Sequence, residues 1–266
     1  MTCRTVTILA FAAAVTAPAG TLSAQEVPTT APTTAPAETP GMGGVLKDLG
    51  ESVGAGGAVK AVLVVTVLAV APAIAVMVTC FTRIIVVLGL LRQALGTQQL
   101  PPNQVLFGLA LFMTVVVMSP VFSNVHRDAI EPCSAGRISQ AQAWDAGRGH
   151  VRGFMIAQIE QTGNTDDVYM FLSEDQAARD DLVWRDVPDV ALVPAFVVSE
   201  LKTAFLIGFR IFLPFVIIDM LVASGLLSMG MLMLPPALIS LPFKLLLFVL
   251  ADGWHLVVGT LMRSFG

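Results

Sequence analysis

Residues 194–227 read PAFVVSELKTAFLIGFRIFLPFVIIDMLVASGLL. This stretch lies in an apolar block from Val190 to Leu226 that is long enough to cross a bilayer as a helix. Yet Glu200, Lys202, Arg210 and Asp219 interrupt it, and Pro194 and Pro214 fall inside it. A lone charge in hydrocarbon costs several kcal/mol, so such groups face protein or a water-filled path. Each internal proline also frees a carbonyl that needs another partner. The block therefore reads as a kinked helix packed protein against protein.

Downstream, a second apolar block runs from Gly230 to Gly266 and holds Lys244, Asp252, His255 and Arg263. No charge lies between Asp219 and Lys244, and Pro235-Pro236 sits in that gap, so the chain turns there into a hairpin over 190–266. The turn carries MGMLMLPP at 229–236, three methionines beside a stiff proline pair. Ordinary packing of methionines in a core is the competing reading of that run.

Upstream, residues 126–189 change character. They carry twelve acidic residues and six arginines, a local balance of −6. This is expected to be a solvent-exposed insertion, helical around 150–162 and 166–180. Its acidity suits the side away from the cytoplasm, since cytoplasmic loops favour Lys and Arg. Before it, residues 58–125 form a first apolar hairpin. Ala61 to Thr82 is free of charge, Arg83 and Arg92 flank IIVVLGLL, GTQQLPPN at 96–103 is a turn, and Gln104 to Val125 is again uncharged. Both halves turn at a Leu-Pro-Pro, an echo that suits repeated hairpins or chance equally.

Residues 25–57, with VPTTAPTTAPAETPGMGG, have the composition of a flexible tether. Residues 1–24 carry Arg4, an apolar run from Val6 to Val15 and small residues before Ala24, the pattern of a secretory signal peptide. An uncleaved anchor is the alternative there. With the signal removed, the first helix runs inward and delivers Arg83 and Arg92 to the cytoplasmic side. The second hairpin breaks that rule, because residues 220–234 have no Lys or Arg.

Charged residues make up 13% of the 266-residue chain against 55% hydrophobic ones, which marks a membrane protein. A net charge of −4 leaves no basic surface for nucleic acid. Three cysteines, Cys3, Cys80 and Cys133, do not make a disulfide framework. His126, His150 and His255 have no ligand spacing for a metal, and no hydrolase or nucleotide motif appears, so neither cofactor nor catalysis is expected. Asp252 and His255 could share one helical face as a local hydrogen bond.

The strings TCFTRIIVVLGLLRQALGTQQLPPNQVLFGLALFMT (79–114), PAFVVSELKTAFLIGFRIFLPFVIIDMLVASGLL (194–227) and MLMLPPALISLPFKLLLFVLADGWHLVVGTL (231–261) closely resemble the FliP family, the flagellar branch of the type III secretion export-gate proteins. The resemblance implies an all-α, integral membrane-type, non-enzymatic subunit. It would assemble with other copies of itself and with Q and R subunits, beside further export-apparatus membrane proteins, in the flagellar basal body of the bacterial inner membrane. Unfolded flagellar substrates would pass through the resulting cone. It further implies a pore gasket at Met231, Leu232 and Met233, where the family has an unbroken methionine run and methionine is soft enough to seal and yield. Glu200 and Lys244 would form ion pairs between subunits, with Arg83, Lys202, Asp219 and Asp252 as other buried charges. Arg210 stands where the resemblance leads one to expect an uncharged residue. The competing class is an ion- or solute-conducting transporter subunit using Glu200, Lys244 and Asp252 as a relay. Four helices in the mature chain are few for a monomeric transporter and suit an oligomeric gate.

Overall fold

A computed structural model describes residues 55–266 apart from Gln98, Gln99, Ala178, Asp180, Asp181 and Leu232. The expected signal peptide, and the tether as far as residue 54, lie outside the described residues. The chain divides into two units, Met1–Ile74 and Ala75–Gly266. Within the first lies most of α1, Ala55–Met77, an apolar helix that tolerates Pro72. Residues 55–57, expected in the tether, already belong to it.

The second unit holds everything else. Its elements are α2 (Phe81–Leu95), α3 (Asn103–Val125), a π-turn (His126–Ile130), α4 (Glu131–Ser134), α5 (Gln140–Thr162), α6 (Asp166–Tyr169), α7 (Glu174–Ala177), α8 (Asp189–Ser228), α9 (Pro236–Leu250) and α10 (Gly253–Arg263). Among the described residues there is no strand, as an all-α, membrane-type fold requires. Asn103–Ser134 and Asp189–Ser228 are each long and apolar enough to cross a membrane.

Sequence periodicity explains the core. On α2 the buried apolar positions include Phe81, Ile84, Val87, Leu88, Leu91 and Leu95, the three- and four-residue spacing of one helical face. They pack on Ala110 and Met113 of α3, on Ala204 and Ile207 of α8, and on Leu261 of α10. Gly208 lets α2 and α8 approach closely, since a Cβ there would lie 2.2 Å from Leu90 Cδ1. The outer faces stay apolar and exposed, with Phe112, Phe209 and Leu250 among them, as befits helices bound for lipid or for other protein chains.

Three boundaries differ from the sequence reading. First, the arm expected to run unbroken past Thr82 stops at Met77, and a new helix begins at Phe81. Thr79 Oγ1 (3.3 Å) and Thr82 Oγ1 (3.4 Å) donate to the carbonyl of Val76 and satisfy the backbone group that the break exposes. Second, charge appears at Arg127, but the helical rod continues through the π-turn to Ser134, so the insertion starts inside a helix. Third, the helix expected over 150–162 begins at Gln140. Ser139 and Gln142 form a reciprocal capping box (2.9 and 3.3 Å), and Gly163, at φ 70°, ends the helix. The second expected insertion helix, 166–180, is only the short α6 and α7.

The insertion packs on the first turns of α8 through Met155, Ile159, Val168, Leu192 and Phe196. Arg152 fastens this junction by donating to Asp189 and to the carbonyls of Trp184 and Val187. Arg148 donates to the same Asp189 at 3.1 Å.

Candidate charge clusters and methionine loop

Arg83 sits on the core face of α2 with no exposed surface, and a buried guanidinium must find partners for five N–H donors. Five acceptor atoms surround it. Nε donates to Glu200 Oε2 at 2.9 Å, and Nη2 donates to Glu200 Oε1 and to Gln158 Oε1 at 3.2 Å. Nη1 donates to the Ser264 carbonyl at 2.7 Å and to Ser264 Oγ at 3.2 Å. The Phe265 ring covers the guanidinium carbon at 4.2 Å from its centroid. Gln158 Nε2 in turn donates to the carbonyl of Phe265 at 3.3 Å. One side chain thus ties α2, α5, α8 and the residues following α10 into a single buried network.

A second cluster closes the 190–266 hairpin. Lys244 on α9 is 7% exposed and donates to Asp219 Oδ2 at 2.6 Å. Its second contact is the Ala94 carbonyl at 3.2 Å, one of the unpaired acceptors in the last turn of α2, where a cation is favoured. Ser240 Oγ donates to the other Asp219 oxygen at 2.6 Å.

The structure does not bring Glu200 and Lys244 together within the chain. Each has a different partner, Arg83 for Glu200 and Asp219 for Lys244, while contacts between subunits lie outside a single chain. Of the four other charges expected to be buried, the chain alone buries Arg83. Lys202 is exposed and extends its long stem toward Asp167 Oδ1 at 3.6 Å. Asp219 is half-buried. Asp252 is exposed because α9 and α10 bend by 64° at this point, and Asp252 takes a left-handed backbone conformation (φ 49°) in the bend. No hydrogen bond joins it to His255. Gly253 follows because a Cβ there would meet the Phe248 ring at 2.2 Å.

Between α8 and α9, Met229, Met231 and Met233 are 73%, 40% and 98% exposed. Leu232 lies outside the described residues. These methionines are not core packing within the chain, which disfavours the bland reading of the run. Sequence reasoning missed the Arg83–Glu200 fork, whose members stand 117 residues apart with no local signal. It could have found Asp219–Lys244, since the two stand equally far from the centre of the loop. Among the described residues no group of His, Cys, Asp and Glu could hold a metal ion.

An all-α membrane-type protein, held by two ion-pair clusters and presenting an exposed methionine loop, is the class that fold and site define. Residues 64–261 match the FliP family. The chain is 49% identical to flagellar biosynthetic protein FliP of Bacillus subtilis over 78% of its own length and 91% of that protein. Against the protein of the same name from Pectobacterium carotovorum subsp. carotovorum it is 51% identical over 78% of both chains. The Caulobacter vibrioides protein of that name is 48% identical over 78% of this chain and 76% of its own. The chain belongs to the FliP family.

Proposed function

We propose that the chain is a subunit of the flagellar type III protein export gate. Its place in flagellar biosynthesis follows from its family, in which it serves as a structural component of the export apparatus rather than an enzyme. The finer reading is that several copies assemble with Q and R subunits in the inner membrane. They enclose a channel for unfolded flagellar proteins, with the acidic insertion on the periplasmic side. The observation that carries this reading is the methionine loop, where soft side chains stand exposed on a turn stiffened by Pro235 and Pro236. A ring of such loops could seal against solutes and still deform around a passing chain.

The relay reading has less support. Glu200 and Lys244 fall in separate clusters, each closed by its own partners, and Asp252 belongs to neither. The test of the gate is Met231→Ala with Met233→Ala in flagellated cells. Small-solute leakage across the inner membrane, with the assembly intact, is the expected result. Tight membranes and normal filament export would remove the gasket from the proposal.

A further inference from the structure

Arg210 is the charge that the two clusters leave out. It lies in the middle of α8, exposed between Phe209 and the half-buried Ile211, and among the described residues its side chain has no hydrogen-bond or ion-pair partner. Pro214, four residues on, also deprives the Arg210 carbonyl of its helical donor. Asp252 is its counterpart of opposite sign, likewise exposed and without a side-chain partner among the described residues. Both are set in apolar surface, with Phe205 and Leu213 near one, and Val249 and Leu250 near the other.

The register of the hairpin places them at one height. Asp219 contacts Ser240 and Lys244 across the α8–α9 pair. Nine residues back from Asp219 is Arg210, and the same step forward from Ser240 reaches Val249 in the last turn of α9, three residues before Asp252 in the bend. At this height the 64° bend and the left-handed turn at Asp252 carry the carboxylate off the hairpin axis, so the pairing that joins Asp219 to Lys244 is not repeated.

We infer that Arg210 of one copy of this chain pairs with Asp252 of the next. Two groups of opposite charge at equal height on a hairpin are brought together by rotation about an axis parallel to it, the operation that relates subunits of a ring. Each charge alone would be strongly disfavoured against lipid, and the pair removes both. This inference rests on the reading that several copies assemble.

The experiment uses the full-length chain produced with its export-apparatus partners in cells. A chain carrying Arg210→Cys is co-produced with one carrying Asp252→Cys, and the membranes are oxidised and run without reductant. A disulfide-linked dimer in the mixture, absent from either variant alone and from the natural chain, is expected. In parallel, Arg210→Gln, Asp252→Asn and the double variant are compared by native electrophoresis in detergent. Asparagine is chosen because it tolerates the left-handed backbone. Each single change should lower the oligomer about tenfold by stranding the other charge, and the double change should restore it to within about twofold of the natural chain. A mixture that yields no disulfide-linked dimer beyond that of either variant alone overturns the inference. So does an unaltered oligomer in the single variants, or additive losses in the double. A natural chain that runs as a monomer would overturn the assembly reading itself, which separates the two failures.

Discussion

Arg83 makes more contacts than its charge alone requires, and the shape of its donors is the reason. A guanidinium presents a planar fork that lysine cannot reproduce, so Arg83→Lys should lose the bidentate grip on Glu200 while keeping the charge. Arg83→Ala strands a buried carboxylate and is expected to cost on the order of 3 to 5 kcal/mol. Thermal unfolding in detergent would rank the two, with alanine the worse. Equal and small losses would mean that the network is ornamental. Gly253 makes a second residue-scale test. Gly253→Ala drives a methyl group into the Phe248 ring and should cost about 1 to 3 kcal/mol. Gly259→Ala on the same helix meets only the flexible end of Arg263 at 3.5 Å and should be neutral or stabilising by about 0.5 to 1 kcal/mol. The same melting experiment compares them.

At the scale of elements, the α8–α9 hairpin is held in register by Asp219, Ser240 and Lys244. Asp219→Asn should loosen it, while exchanging the two charges, Asp219→Lys with Lys244→Asp, should recover less than half of the loss. The Ala94 carbonyl accepts from an ammonium and repels a carboxylate. Limited proteolysis of the methionine loop would report the loosening, and full recovery in the exchanged pair would argue that the helix end plays no part. Ser139→Ala removes the cap of α5 and should cost about 1 kcal/mol, read as earlier melting of the insertion by circular dichroism.

The elements were unevenly legible in the sequence. Apolar runs announced α8, α9 and the turn between α2 and α3, because Gly96 and the proline pairs mark those boundaries locally. The start of α5 was missed since a capping box at Ser139 gives no hydrophobic signal. The break before Phe81 was missed because threonine hydroxyls, not glycine or proline, absorb it. The charge clusters were legible only as misplaced residues. Their pairing depends on tertiary contacts, and Glu200 found Arg83 on the first hairpin rather than a group on its own.

For the whole molecule, the length of α8 sets a constraint. Forty residues rise about 60 Å, roughly twice the hydrocarbon thickness of a bilayer. Part of this helix therefore stands beyond the lipid, beside the insertion that packs on its first turns. If the insertion faces the periplasm, Asp145→Cys, at an exposed position on α5 and placed in a chain that also carries Cys133→Ser, should react with a membrane-impermeant maleimide added to intact cells whose outer membrane has been permeabilised. Reaction only after the inner membrane is opened would reverse the proposed orientation. The exposed apolar faces of α3, α8 and α9 mean that lipid or neighbouring chains must complete the molecule. That explains why charge and hydropathy revealed its class before any single contact did.

The buried fork at Arg83 has a further meaning during synthesis. Glu200 emerges 117 residues after Arg83, and Ser264 emerges 181 residues after it. At about 5 to 20 residues per second, Arg83 waits roughly 6 to 23 s for its first counter-charge. Until then the guanidinium lacks its buried counter-charge, and the segment around Ser264, made later still, completes its shell. The Arg83 shell is therefore among the late contacts to form, because its partners are spread over 181 residues of chain.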